Sequence, residues 1–485
     1  MTTTYPSHPN LDGNYAPLRM ECDLNDLVVE GEVPQDLFGS YYRNGPDPQF
    51  PPKDGHYHWF GGDGMIHAFH FENGKISYKN RWVQTSKYKQ ERKAGKSLTN
   101  LLNPMEPDPL WNPEGENGVA NTNIIFHGDR LLALEEGHLP FEIDPFTLES
   151  VGPYSYEHKL LSPMTAHPKI DPLTGEMFAF SYGFGDNKLT YFVIDAAGKL
   201  THYSEFNAPY SSMVHDFMVT SQHVIFPIFP LIIDLEQAMA GKAPIAWDKD
   251  RPSHIGVMPR DGSVEDIKWI EDDPCFVFHP MNAYTEGDKI IADTMQFEEA
   301  PLFPHVDGSN PDPKKAEARL TRWEIDLSSN SGKINKNCLD GDIGEFPRLD
   351  ERFSMLNYRH GFYAASIGDH PPGISFNSVA HHDHQTSKKE FYVLGKEDAI
   401  GEPVFVPSSN EAEEGDGYLI ALAYRGVENR SDLLIFNAMD VASGPIATAQ
   451  LPHRIPYGFH GNWRPGRIID YDKKEFKKQT MGFVF

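Results

Sequence analysis

Residues 165–182, TAHPKIDPLTGEMFAFSY, set the pattern by which the rest of the chain is read. His167 precedes Pro168, a residue with no backbone N–H that biases its predecessor toward an extended conformation. Asp171-Pro172 and Gly175 supply turn chemistry, and MFAFSY reads as the next strand. The spacing predicts His167 at a strand end just before a tight turn, where an imidazole can face a shared site. A lone histidine in such a setting is more often a structural residue than a ligand. Its meaning depends on what other segments bring beside it.

The same plan of strand, Asp- or Gly-containing turn and strand recurs outward in both directions. It is seen in LTYFVIDAAGKLTHYSEF, in HPMNAYTEGDKIIADTM and in GYLIALAYRGVENRSDLLIFNAM. Asn73-Gly74, between two alternating segments, is the strongest short hairpin signal. The 40 Gly and 39 Pro are scattered and not pooled in a linker. No strict WD or kelch repeat is present, and no long amphipathic helix interrupts the series as a Rossmann or TIM fold would require. These features predict an all-β chain built as a large propeller, with residues 1–485 forming one domain. Residues 87–120 break the pattern. A helical turn in SKYKQERKAGKS and a turn-rich loop after it predict an insertion that forms a substrate entrance or cap.

Composition excludes several classes. With 43 basic against 70 acidic residues, the formal charge of -27 argues against a nucleic-acid surface. A hydrophobic content of 39%, with 31 Phe and 21 Tyr, is too apolar for disorder. Cys22, Cys275 and Cys338 are too few and too far apart for a disulfide framework or a thiolate metal site. The N-terminal MTTTYPSHPNLDG has no signal-peptide pattern, and the apolar run 226–233 (FPIFPLII) is too short to span a bilayer. A cytoplasmic protein is expected. The runs 226–233 and 98–102 could together form a patch that touches a membrane surface transiently.

Three further histidines share the setting of His167. His215 lies in SSMVHDFMVT, an apolar strand interrupted by His-Asp. His279 lies in CFVFHPMNAY, at a strand end and again before Pro. His460 lies in PYGFHGNW, between glycines that allow close backbone approach. No two are close enough in sequence to share a helix, so a joint site must be assembled by the fold; inner strands of different propeller blades converge in that way. Two other histidine clusters, His56 with His58 and His381, His382 and His384 with Asp383, read as structural or surface residues, with 377–384 (NSVAHHDH) as a loop. Phe60-Gly61-Gly62-Asp63-Gly64 lacks the Walker pattern, and no G-x-S-x-G elbow supports a hydrolase.

Taken in order, EGEVPQDLFGSYYRNGPDPQF, FGGDGMIHAF, TAHPKIDPLTGE, MVHDFMVT, FHPMNAY, GEFPRLD, GEPVFVP and PYGFHGNW resemble the carotenoid cleavage oxygenase family, from about Leu24 to the C-terminus. The resemblance implies a seven-bladed β-propeller, with loop and helical insertions capping one Fe(II) per chain on its axis. Matched position by position, the iron ligands are His167, His215, His279 and His460. Glu136, Glu345 and Glu402 match the carboxylates that fix the ligands' other ring nitrogens, and are expected on inner strands. Neutral imidazoles suit Fe(II), and a ligating histidine needs its second nitrogen fixed.

The activity implied is O₂-dependent cleavage of a carbon–carbon double bond in an apolar conjugated small molecule, giving two carbonyl products. Phe60 and residues 98–111 are candidates for the substrate tunnel. The N-terminal half looks like the lignostilbene and isoeugenol branch, in which a Tyr and a Lys hold a substrate 4-hydroxyl. Those positions match Leu101 and Glu135 here: Leu donates no hydrogen bond, and Glu reverses the charge that would favour a phenolate. Strict strand alternation would send Glu135 and Glu136 to opposite faces. The departure favours a carotenoid or apocarotenoid over a 4-hydroxystilbene. Stilbene or phenylpropanoid cleavage, isomerohydrolase chemistry on the same iron and a non-catalytic scaffold are the alternatives.

Overall fold

The computed structural model describes residues 4–101, 106–114, 117–328, 333–370 and 375–466. Its hairpins follow from local chemistry. Gly64–Glu72 and Lys75–Trp82 are joined by Asn73-Gly74, both with positive φ (53° and 72°), so two residues turn the chain with the twist its strands need. Lys75–Trp82 alternates between outward polar residues and the buried Ile76, Tyr78, Asn80 and Trp82, so one face packs and the other meets water.

These hairpins assemble into seven blades. The first takes Asp23–Leu24, Gly39–Pro46, Gly64–Glu72, Lys75–Trp82 and, from the far end of the chain, Gly461–Pro465. Asn123–His127, Arg130–Leu134, Phe141–Ile143 and Ser150–Pro153 form the second. The third runs from Lys169–Ile170 through Met177–Tyr182 and Lys188–Ile194 to Leu200–Asn207. The fourth runs from Met218–Val219 through His223–Ile228 and Ser253–Pro259 to Lys268–Asp272. A seven-stranded sheet supplies two blades at once, because the long strand Lys333–Leu349 pairs with Arg319–Asp326 in its first half and His360–Ser366 in its second. Its first half closes the fifth blade, begun by Phe276–Glu286, and its second half opens the sixth. The seventh holds Val404–Pro407, Gly417–Arg425, Arg430–Asn437, Ala447–Gln450 and, from the start of the chain, Val28–Gly31.

Both ends of the chain therefore close the ring. Val28–Gly31 pairs with Ala447–Gln450, and Gly39–Pro46 pairs with Gly461–Pro465. A buried cluster including Leu27, Tyr41, Phe69, Ile420 and Leu433 fills the seam between the seventh and first blades. Each such side chain contributes about 1.5–3 kcal/mol on burial, so the seam is held by packing as well as by strand pairing.

Two expectations change here. The run 226–233 is core: Phe226, Ile228, Phe229, Leu231 and Ile233 are buried between blades, so it offers no patch to a membrane. Among the described residues no helix is long and apolar enough to cross a membrane. Ser378–Asp383, part of the 377–384 stretch expected to be a loop ahead of the polar QTSKKE, is a buried strand of the sixth blade. Its histidines fill the sheet interior by pairing with polar neighbours, which the residue types alone do not reveal. The insertion does begin with a helix, Ser86–Ala94, capped by the Thr85 side chain and ended by Gly95 at φ 71°. Lys87 is buried between Asp63 (3.0 Å) and Glu91 (2.9 Å), and Glu91 accepts the Leu98 N–H at 2.8 Å. These contacts tie the insertion to the glycine-rich 60–64 turn. Residues 102–105 of the expected tunnel segment lie outside the described residues.

Candidate metal centre on the propeller axis

Each of the seven blades contributes one side chain to the axis. Four give a histidine: His167 just before Lys169–Ile170, His215 before Met218–Val219, His279 within Phe276–Glu286, and His460 directly before Gly461–Pro465. Irregular backbone places them all. His167, His215 and His460 precede their strands, and His279 sits where strand register shifts around Pro280. A regular strand would point alternate residues into the blade; a break lets one ring turn inward. The expected strand positions of His167 and His215 are corrected accordingly.

The other three blades give carboxylates. Glu345 stands at a register shift in Lys333–Leu349, and Glu402 lies between Ala399–Ile400 and Val404–Pro407. Glu136 differs from the inner-strand expectation: it lies in the turn after Arg130–Leu134, the second strand of its blade. His215 Nδ1 contacts Glu136 at 2.9 Å, His279 Nδ1 contacts Glu345 at 2.6 Å, and His460 Nδ1 contacts Glu402 at 2.9 Å. His167 has no such clamp. Its Nδ1 is 3.8 Å from Asp216, whose carboxylate is instead neutralised by Lys169 at 2.7 Å.

This arrangement decides what the centre can hold. A carboxylate beside Nδ1 keeps the proton there, which leaves Nε2 as a bare lone pair. Yet the Nε2 atoms of His215 and His279 are 3.2 Å apart, and those of His167 and His215 are 3.0 Å apart. All four ligand nitrogens lie within 4.8 Å of one another. Lone pairs aimed at one another repel unless a cation sits among them, so the donor set fits a metal ion. Burial, and next the neighbouring histidines, push the His167 and His279 imidazoliums well below the ordinary range, leaving neutral ligands. Burial also raises the Glu345 carboxyl. Burial alone would raise Glu402 too, but Arg348 and His460 outweigh it and hold Glu402 below the ordinary carboxylate range.

Aromatic rings wall the centre. Phe278 meets His215 edge-on at 5.1 Å, and Phe346 stacks on His279 at 5.7 Å. Phe60 lies one ring further out, 5.5 Å from Phe459 and 6.5 Å from Phe278. Leu101 is half exposed and packs over Gly61, next to Phe60. Glu135 is directed elsewhere. Its Oε2 accepts the N–H groups of Val119 (2.9 Å) and Ala120 (3.1 Å), and Oε1 pairs with His138. The carboxylate expected to face substrate is thus committed to backbone, while Glu136 beside it serves His215.

Some contributing residues escaped sequence reading. Arg348 bonds Glu402 (3.2 Å), the Gly461 carbonyl (2.8 Å) and Asn462 (3.1 Å), and Tyr182 donates to Glu136 at 2.8 Å. Arg348 was within sight, three residues after Glu345 in GEFPRLD. Nothing in the sequence marks Tyr182, Lys169 or Asp216 as belonging to the centre.

Comparison with known proteins agrees with this geometry. The sequence profile described as "retinal pigment epithelial membrane protein" matches residues 15–465. The chain is 40% identical to isoeugenol monooxygenase of Pseudomonas putida, over 96% of this chain and 99% of that one. It is 39% identical to lignostilbene-alpha,beta-dioxygenase isozyme III of Sphingomonas paucimobilis, over 95% and 97%. Among solved structures, the lignostilbene dioxygenase of Pseudomonas brassicacearum superposes with a TM-score of 0.92 at 37% identity, covering 96% of this chain and 100% of that one. Cobalt-substituted apocarotenoid oxygenase of Synechocystis superposes with a TM-score of 0.81 at 30% identity, over 95% and 97%. A match of this extent, on a propeller whose axis carries four histidines, places the chain in the retinal pigment epithelial membrane protein family, that of the carotenoid cleavage oxygenases.

Proposed function

We propose that the chain is a single-domain, iron-dependent dioxygenase that cleaves a carbon–carbon double bond of an apolar conjugated substrate, a carotenoid or apocarotenoid being favoured. The observation that carries this is the set of Nε2 atoms aimed at one point, three of them with Nδ1 held by carboxylates. His167, His215, His279 and His460 would hold Fe(II), which would supply the redox chemistry for activating O₂. The reaction balances without an outside reductant: each alkene carbon gains one oxygen atom of O₂, the C=C bond breaks, and two carbonyls result.

The chain's own residues do the rest. Glu136, Glu345 and Glu402 keep protons on Nδ1 and the rings fixed in orientation. Phe60, Phe278 and Phe346 offer flat apolar faces that suit a planar conjugated chain and exclude water. Of the two residues matched to the 4-hydroxyl clamp, Leu101 has no donor and Glu135 turns its carboxylate away to the backbone amides of Val119 and Ala120, so neither would hold a 4-hydroxyl. The three free cysteines suit a reducing, cytoplasmic setting.

A second reading, cleavage of a stilbene or phenylpropanoid alkene, is favoured by the identities of 39–40% to the lignostilbene and isoeugenol enzymes. Iron-loaded protein incubated under ¹⁸O₂ with an apocarotenal and with resveratrol separates these readings. The proposal expects labelled carbonyl products and the higher kcat/KM for the polyene. A kcat/KM at least tenfold higher for the hydroxystilbene would reverse the substrate preference. Conversion without label would point to isomerohydrolase chemistry, and no conversion with no iron uptake would point to a scaffold.

A further inference from the structure

Glu135 belongs to a continuous hydrogen-bonded path that ends at the aromatic wall. Its Oε2 binds the N–H groups of Val119 and Ala120. The carbonyl of Val119 accepts from Gly64 at 2.8 Å. The next side chain, Asn121, donates from one nitrogen to the carbonyls of both Phe60 and Gly62, each at 2.8 Å. Phe60 is thereby fixed on both sides, by Asn121 through its backbone and by Phe459 and Phe278 through its ring. On the far side, His138 pairs with Oε1 of Glu135 and contacts Asn117 Oδ1 at 2.9 Å through Nε2, so the latch also grips the start of the segment.

Space around the latch is fully used. A Cβ on Gly118 would come within 2.7 Å of Glu135 Oε1 and 2.9 Å of the His138 ring. The carboxylate is buried and held in its ionised form: burial opposes this, but His138 and the two backbone donors outweigh it. The neighbouring carboxylate, Glu136, bonds His215. One turn thus holds both the metal-facing imidazole and the substrate-facing wall.

We infer that Glu135 is a positioning residue: it sets the place of Phe60, through Val119–Ala120 and Asn121, without touching substrate or metal. The inference rests on the apolar alkene-binding function proposed above, so its test must read binding as well as turnover. The probe is trans-stilbene, an unsubstituted conjugated alkene, titrated by fluorescence under argon against the iron-loaded full chain. Glu135→Ala frees two buried N–H groups, whereas Glu135→Gln keeps an oxygen for both. Expected results are about a tenfold weaker Kd for Glu135→Ala, near-normal binding for Glu135→Gln and unchanged iron content in both. Backbone hydrogen exchange at Val119 and Ala120 should accelerate only in the Ala variant. Phe60→Ala should weaken binding by a similar factor, and the double variant should be no worse than either single one, since both act on one wall. Independent, multiplying losses, or a Gln variant as impaired as Ala, would overturn the inference. Failure of the functional reading looks different: the wild type itself would bind trans-stilbene without converting any conjugated alkene, while the exchange and coupling results would still hold.

Discussion

His167, His215, His279 and His460 come from four blades to one point, whereas His360, His381 and His382 lie on two neighbouring strands of the sixth blade, with His384 in the turn just after them. Both groups are buried, and the second is the denser in sequence. The difference is in what each ring faces. On the axis, carboxylates occupy Nδ1 and the Nε2 atoms converge. In the sixth blade each ring has its own neighbour: His360 Nδ1 meets His381 Nε2 at 3.0 Å, His382 Nδ1 lies 3.5 Å from Asp340, and His384 Nδ1 accepts from Arg322 at 3.2 Å. Among the described residues only the axial group gathers its ligand atoms within 4.8 Å. Density of histidine along a strand fills a core; convergence from separate blades, with carboxylates behind, builds a metal centre.

The largest effect should come from the axis itself. Replacing any of His167, His215, His279 or His460 by Ala is expected to remove bound iron and reduce turnover to background, as read by metal analysis and product assay. Ala at Glu136, Glu345 or Glu402 should cost about 10–100-fold in iron affinity or rate, with Gln milder. Glu402→Ala should be the worst of the three for stability, because it removes the buried partner of the Arg348 guanidinium and leaves it only the exposed Glu351; the loss in denaturant unfolding should stay below the roughly 3–5 kcal/mol of a buried charge left wholly unpaired.

Acid should act on the other group as well as on the axis. Burial pushes His381 and His384 down to about 4 from 6.5. Between those values the unfolded chain binds protons that the folded chain refuses, so stability falls as pH drops from about 6.5 toward 4, by about 1.4 kcal/mol per unit for each group. Urea unfolding across that range checks the sign: a midpoint that rose on acidification would show that these rings gain protons on folding. The smallest effect belongs to His381→Ala and His382→Ala, which should leave iron content unchanged.

Much of this was legible in the sequence because turn chemistry is local. Asn73-Gly74 and the 171–175 turn announce hairpins, and the motifs around His167, His215, His279 and His460 carry the family pattern. What stayed hidden depends on tertiary placement. Asp216 adjoins His215 in sequence yet pairs with Lys169 from another blade, and Tyr182 reaches Glu136 across 46 residues. The 377–384 stretch looks like a loop because the polar QTSKKE follows it, while the partners of its histidines, Asp340, Arg322 and Asp293, lie far off in the chain. Glu135 and Glu136 could be assigned opposite directions from their adjacency, but not the backbone amides that Glu135 would find.

The most direct test is an anomalous-difference map collected at the iron absorption edge from crystals of the Fe(II)-loaded protein. A single peak within coordination distance of the Nε2 atoms of His167, His215, His279 and His460 is the predicted result. A peak among His360, His381, His382 and His384 instead, or no peak on the axis, would contradict it.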